Sequence, residues 1–209
     1  MTRRPPLKLG FLASHGGSGM RAVLTAIAEG DLNAEGRILI SNNAGCAAIA
    51  AAEAAGLPWR RVSISSEGSA EAADRAIADA LTNAGAGLVV LSGYMRKLGP
   101  ETLKRFSGRI LNIHPALLPR HGGQGLYGRR VHEAVHASGD LATGATVHLV
   151  DSDYDTGPII GQVSAPVRPE DSVDDIEARV RALEPGLLVD TLRRIADGEL
   201  RLPEPAGRA

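Results

Sequence analysis

Apolar positions in this chain fall in short runs bounded by turn residues, and these runs alternate with segments of helical apolar spacing. Leu7 to Ala13, Arg37 to Ile40, Trp59 to Ile64, Gly87 to Leu91 and Arg109 to Ile113 read as strands. Ser18 to Glu29, Ala44 to Ala55, Glu71 to Asn83 and Glu101 to Phe106 read as the helices between them. This rhythm predicts an α/β fold: a single Rossmann-like domain over residues 1–209, with a mostly parallel twisted sheet and helices on both faces.

The second half is organised differently. Pro115 to Gly128 carries two prolines and four glycines and reads as a loop, too long for a mere connector. A helix at Arg130 to Ala137 follows, then two extended runs, Ala145 to Val150 and Ile159 to Ser164. The tight Asp155-Thr156-Gly157-Pro158 between those runs predicts an antiparallel edge hairpin. Asp171 to Ala196 has helical spacing, with an interruption expected near Pro185-Gly186. Pro203 to Ala209 reads as a frayed tail.

Candidate chemistry lies at the strand ends. His15-Gly16-Gly17-Ser18-Gly19 joins the first strand to the first helix, where free amides and the helix dipole favour an anion. Gly17 to Ala22 fits G-x-G-x-x-A, but the second strand ends in Ile40-Ser41-Asn42-Asn43, without the acidic residue a dinucleotide site requires. Phosphate binding without a dinucleotide is the better reading.

Leu111-Asn112-Ile113-His114-Pro115 is the sharpest feature. Asn112 and His114 are two apart in a strand and so share a face, at the edge where open α/β sheets build their sites. Asp155, in the hairpin turn, is placed to reach back toward them. An amide and an imidazolium can donate to the oxygen that becomes negative during acyl transfer. A nearby carboxylate is expected to raise the imidazole pKa and to help remove the proton of an attacking amine. No Cys or G-x-S-x-G accompanies the group, so no covalent nucleophile is indicated. His132-Glu133-Ala134-Val135-His136 fits H-E-x-x-H, but no third ligand is evident; an exposed helix face is expected and no metal.

Composition narrows the partners. With a net charge of −1 and 3% aromatics, neither a basic field nor a stacking surface points to nucleic acid. No stretch approaches a membrane span, and Leu7 to Ala13 is shorter than most signal-peptide cores. Cys46 is the lone cysteine, which excludes an internal disulfide and suits a reducing cytoplasm.

The run Leu111 to Pro119, preceded by Ser92-Gly93-Tyr94-Met95-Arg96 and followed by Asp155-Thr156-Gly157-Pro158, resembles the phosphoribosylglycinamide formyltransferases. The resemblance extends from Gly10 to about Arg194. It implies formyl transfer from 10-formyltetrahydrofolate, a co-substrate, to the amine of glycinamide ribonucleotide in purine biosynthesis. It also implies that Asn112, His114 and Asp155 are catalytic, and that Gly17, Ser18, Gly19 and Glu184 bind the acceptor. Met95, Arg96, Lys97 and Leu98, with Val150, Asp151, Ser152, Asp153 and Tyr154, would line the folate pocket, with Thr146 and His148 on the strand leading there. Small-molecule partners and a monomer or homodimer follow from the same likeness.

The chain departs from the family at three positions. Gly19 stands where Asn is usual, Ala70 where Arg is frequent (Arg75 is close by), and Arg181 where Gln is frequent. Hydrolysis of the same donor, formylation of another amine and a non-catalytic binding module are the alternatives.

Overall fold

The computed structural model describes residues 4–203. The tail from 204 to 209 therefore lies outside the described residues. In chain order the elements are β1 (Leu7–Ala13), α1 (Ser18–Ala28), β2 (Ala34–Ser41), α2 (Ala47–Ala54), β3 (Trp59–Arg61), α3 (Ile64–Glu67) and α4 (Ala70–Asn83). They continue with β4 (Leu88–Leu91), α5 (Pro100–Arg105), β5 (Ile110–His114), α6 (Arg129–Ser138), β6 (Ala142–Leu149), β7 (Ile159–Pro166) and α7 (Val173–Asp197). Seven strands form one sheet in the order β3-β2-β1-β4-β5-β6-β7. The pairs from β3 to β5 are parallel, and β6 and β7 add antiparallel to that edge.

Strand periodicity sorts the side chains into two cores. Leu9, Phe11, Ala13, Leu88, Val90 and Leu111 face one side, where α1, α2 and α7 contribute Met20, Val23, Ala48, Leu188 and Leu192. Leu12, Val89, Leu91 and Ile110 face the other, against Ala73, Ile77 and Leu81 of α4. With Leu111 committed to the first core, Asn112 and His114 share the opposite face. Strand order reverses at β1 and β4, so the loops leaving these strands open into the crevice where such sheets bind ligands.

Two local expectations differ from the structure. Residues 62–64 are not extended throughout, because Ser63 caps a short helix that starts at Ile64. The last helix is not broken at Pro185. It starts in a Ser172–Asp175 capping box and runs 25 residues through the proline. A proline costs about 3 kcal/mol inside a helix; here Ile176 and Val180 before it and Leu188, Leu192 and Ala196 after it are buried, and their packing outweighs that cost.

Candidate active site

The chain leaves β1 through Gly17, whose φ of 59° is left-handed and comes without strain to glycine alone. Gly17 precedes α1, so Ser18 and Gly19 open the helix with amides that have no acceptor within it. The next amide, of Met20, donates to Ser92 Oγ at 3.0 Å, which ties the loop to the end of β4. Gly19 is also a packing requirement. A Cβ there would lie 2.8 Å from Leu188 Cδ2 and 3.2 Å from Ser92 Oγ, so α7 fills the room a larger side chain needs. Ser14 links this loop to the next one: its hydroxyl donates to Asn42 Oδ1 at 2.6 Å and accepts from the Met95 amide at 2.8 Å.

The loop after β4 and the one between β6 and β7 flank the β5 end. Met95, Arg96 and Lys97 are exposed, as are Asp151, Ser152, Asp153 and Tyr154, and Val150 is half-buried. Lys97 Nζ sits 5.4 Å from the Tyr154 ring centroid, bridging the two loops. Leu98 differs from the rest: it is buried in the α4 core and presents no open surface. Among the described residues, no helix is long and apolar enough to cross a membrane.

At the end of β5 the three polar residues meet. His114 is 3% exposed, and its Nδ1 lies 3.5 Å from Asp155 Oδ2. Its Nε2 is 2.9 Å from the carbonyl of His121, which can only accept, so that nitrogen carries a proton. Asn112 Nδ2 donates to His148 Nε2 at 3.1 Å, while His148 Nδ1 donates to the Leu149 carbonyl at 2.9 Å. His148 is the register partner of Asn112 across the antiparallel β5–β6 pair, which makes it a fourth member of the site. Asp155 Oδ1 is 3.4 Å from the same His148 nitrogen, and Oδ2 accepts from the Gly123 amide at 3.0 Å.

The Asp155 backbone, at φ 59°, is one of two left-handed non-glycine residues among those described, the other being His121. The β6–β7 connection thereby turns back over the sheet. Gly157 locks it down, since a Cβ there would lie 1.9 Å from the Leu149 carbonyl oxygen.

Burial decides the protonation of the pair. It pulls the His114 imidazole below its ordinary value, outweighing Asp155 and the His121 carbonyl, which act in the opposite sense. The carboxylate does raise this pKa, as expected, but burial is the larger effect and the imidazole ends below its ordinary value. Burial alone would raise Asp155, but the His148 ring, the charge of His114 and the Gly123 amide outweigh it and hold the carboxyl below its usual range. The resting site is a carboxylate beside a neutral imidazole.

Glu184, expected at the acceptor, and Arg181 lie on α7. Burial pushes Glu184 up to about 7, with Arg181 lowering and Glu177 raising it. Arg181 pairs with Glu177 at 2.6 Å, and Ala70 opens α4 with its side chain exposed. The H-E-x-x-H pair is split, because His132 is buried and His136 exposed; the exposed face expected there holds only for His136. Among the described residues, no group of His, Cys, Asp and Glu is arranged to hold a metal ion.

The chain is similar to known proteins over nearly its whole length. A phosphoribosylglycinamide formyltransferase of Mycobacterium tuberculosis is 41% identical over 191 residues, spanning 91% of this chain and 86% of the relative. Its counterpart from Haemophilus influenzae is 34% identical over 197 residues, spanning 94% and 91%. The crystal structure of a glycinamide ribonucleotide transformylase from Symbiobacterium toebii matches with a TM-score of 0.88 at 32% identity, over 96% of this chain and 92% of that one. The family model described as formyl transferase matches residues 7–192, and the chain belongs to that family of enzymes.

Proposed function

We propose that this enzyme transfers the formyl group of 10-formyltetrahydrofolate to the amine of glycinamide ribonucleotide. The observation that carries the reading is the meeting of Asn112, His114 and Asp155 at the β5 end, between a phosphate-type loop and two exposed loops. The N-terminal half binds the ribonucleotide at Gly17, Ser18 and Gly19, with Glu184 of α7 at its glycyl end. Met95 to Lys97 and Val150 to Tyr154 line the folate side. Leu98 supports that wall from the core.

The amine attacks the formyl carbon and the carbon–N10 bond breaks; the amine loses one proton and N10 gains one. His114 Nδ1, unprotonated at rest, takes the proton from the amine and later returns it to N10. While it holds that proton, its imidazolium is paired with Asp155 and donates to the tetrahedral oxyanion. Asn112 has two amide hydrogens, one held by His148, and its second completes the oxyanion site. The substrates are small molecules, and the enzyme acts in the cytoplasm as a monomer or homodimer, a setting that suits the free Cys46.

The test follows the absorbance of a 10-formyl folate with and without glycinamide ribonucleotide, for the wild type and His114→Ala. Turnover that requires the ribonucleotide and is lost in the variant supports transfer. Turnover without it identifies a hydrolase, and folate binding without turnover points to another amine.

A further inference from the structure

Both nitrogens of His114 are engaged, and the one facing away from Asp155 is held by a backbone carbonyl. That carbonyl belongs to His121, which sits in the left-handed region at φ 54°. A side chain disfavours this conformation, so something must hold it in place. The His121 ring supplies the hold. Its Nε2 lies 2.7 Å from Asp140 Oδ2, and the two side chains are only 15% and 10% exposed. Arg120 pairs with the other oxygen of Asp140.

Two residues further on, the Gly123 amide donates to Asp155 Oδ2 at 3.0 Å. Gly122, between them, packs closely, since a Cβ there would lie 2.4 Å from Leu118 Cδ2 and 3.2 Å from Asp155 Cβ. One three-residue segment thus holds both partners of the His114–Asp155 pair. Its anchor, Asp140, joins the C-terminus of α6 to β6, away from both substrate loops. A cleft of about 390 Å³ lined by Leu117, Arg120, His121 and Asp140 lies alongside it.

We infer that His121, locked by Asp140, is a positioning residue: its carbonyl fixes the proton of His114 on Nε2, reserving Nδ1 for exchange with substrate. The inference rests on the proposed formyl transfer and adds to it the device that sets the tautomer of its acid–base group.

The experiment combines ¹⁵N NMR of the imidazoles with steady-state kinetics on wild type, His121→Ala and Asp140→Ala. Alanine keeps the Cβ that disfavours the left-handed backbone but lacks the ring that holds it there, so His121→Ala frees the carbonyl. In the wild type, neutral His114 is expected to carry its proton on Nε2. In both variants that preference weakens and kcat falls about 10- to 100-fold, the cost of small misplacements at a reacting centre. KM for both substrates stays near wild type. The limb of the kcat profile belonging to His114 moves to lower pH, because an acceptor favouring its charged form is lost. A proton on Nδ1 in neutral wild-type His114 overturns the inference without any variant. So do folded variants that keep the tautomer, the limb and kcat. If the ribonucleotide is not formylated at all, the functional proposal fails, while the wild-type tautomer still decides this one.

Discussion

Thr146→Val isolates the pin that holds the start of the 115–128 loop. The Thr146 hydroxyl is fully buried and makes three hydrogen bonds: it donates to the Ala116 carbonyl at 2.6 Å and accepts from the Leu118 amide at 3.1 Å and Gln162 Nε2 at 2.9 Å. Valine has the same shape, so no cavity opens. It strands the Leu118 amide and the Ala116 carbonyl away from water, while Gln162 keeps its bond to the Leu118 carbonyl at 2.9 Å. A buried group left unsatisfied costs about 1–3 kcal/mol, and the extra methyl returns about 0.8 kcal/mol. With two groups stranded, the net loss is about 1–5 kcal/mol. For a chain of this size each kcal/mol lowers Tm by about 2–4 °C, so the variant should melt roughly 2–20 °C below wild type. Urea unfolding should show a lower midpoint at an unchanged m-value. Gln162→Leu, which leaves Thr146 two of its partners, should lose less. If Thr146→Val lies within about 0.5 kcal/mol of wild type, the ordinary range for an inconsequential substitution, the pin is refuted as a source of stability.

Asn112→Ala should lower kcat about 100- to 1000-fold, as loss of one oxyanion donor does, with folate affinity by titration unchanged; an undiminished kcat removes Asn112 from the oxyanion site. Gly157→Ala should abolish turnover and lower Tm, because its Cβ would meet the Leu149 carbonyl oxygen at 1.9 Å and displace Asp155; normal activity would sink this account of the turn. Glu184→Gln is a pH test. A carboxyl raised from 4.5 to about 7 in the fold favours the native state fully below its unfolded pKa and loses that advantage as pH rises through about 7. The variant should match wild type near pH 4 and be more stable by about 1–3 kcal/mol near pH 8, with a raised KM for the ribonucleotide. Equal Tm differences at both pH values would refute the raised pKa.

The β5 half of the site was legible because strand geometry has a period of two. With Leu111 and Ile113 needed for the core, Asn112 and His114 had to share the other face. His148 was named only as lying on the strand leading to the folate side. Its place against Asn112 depends on antiparallel register, which one strand's pattern does not contain. Asp155 was legible as a turn residue near the strand end, but not the left-handed backbone that folds its turn over the sheet. His121 and Asp140 lie 19 residues apart across a loop and a helix, beyond any local spacing rule. Pro185 was misread for the opposite reason: a local rule was sound but packing on both sides of it was stronger.

The protonation of His114 shows which physical quantity a chain of letters conceals. Asp155 could be counted in advance, and charge alone predicts a protonated, donating imidazole. Desolvation could not be counted, because it depends on how the whole fold buries the end of β5, and it exceeds the attraction. The difference changes the chemistry. An imidazolium at rest could stabilise an oxyanion but could not receive the proton that the amine must lose, so Asp155 would have to take it. Yet Asp155 accepts from the Gly123 amide and its carboxyl is held below the usual range, which makes it a correspondingly poor base. In the proposed reaction a neutral His114 next to that carboxylate resolves the conflict: it accepts the proton when the amine attacks, and the charge it then gains is stabilised by Asp155 at the moment the oxyanion needs a donor. In the proposed reaction, burial thus makes His114 the base, and Asp155 makes it an effective acid once it has acted as one.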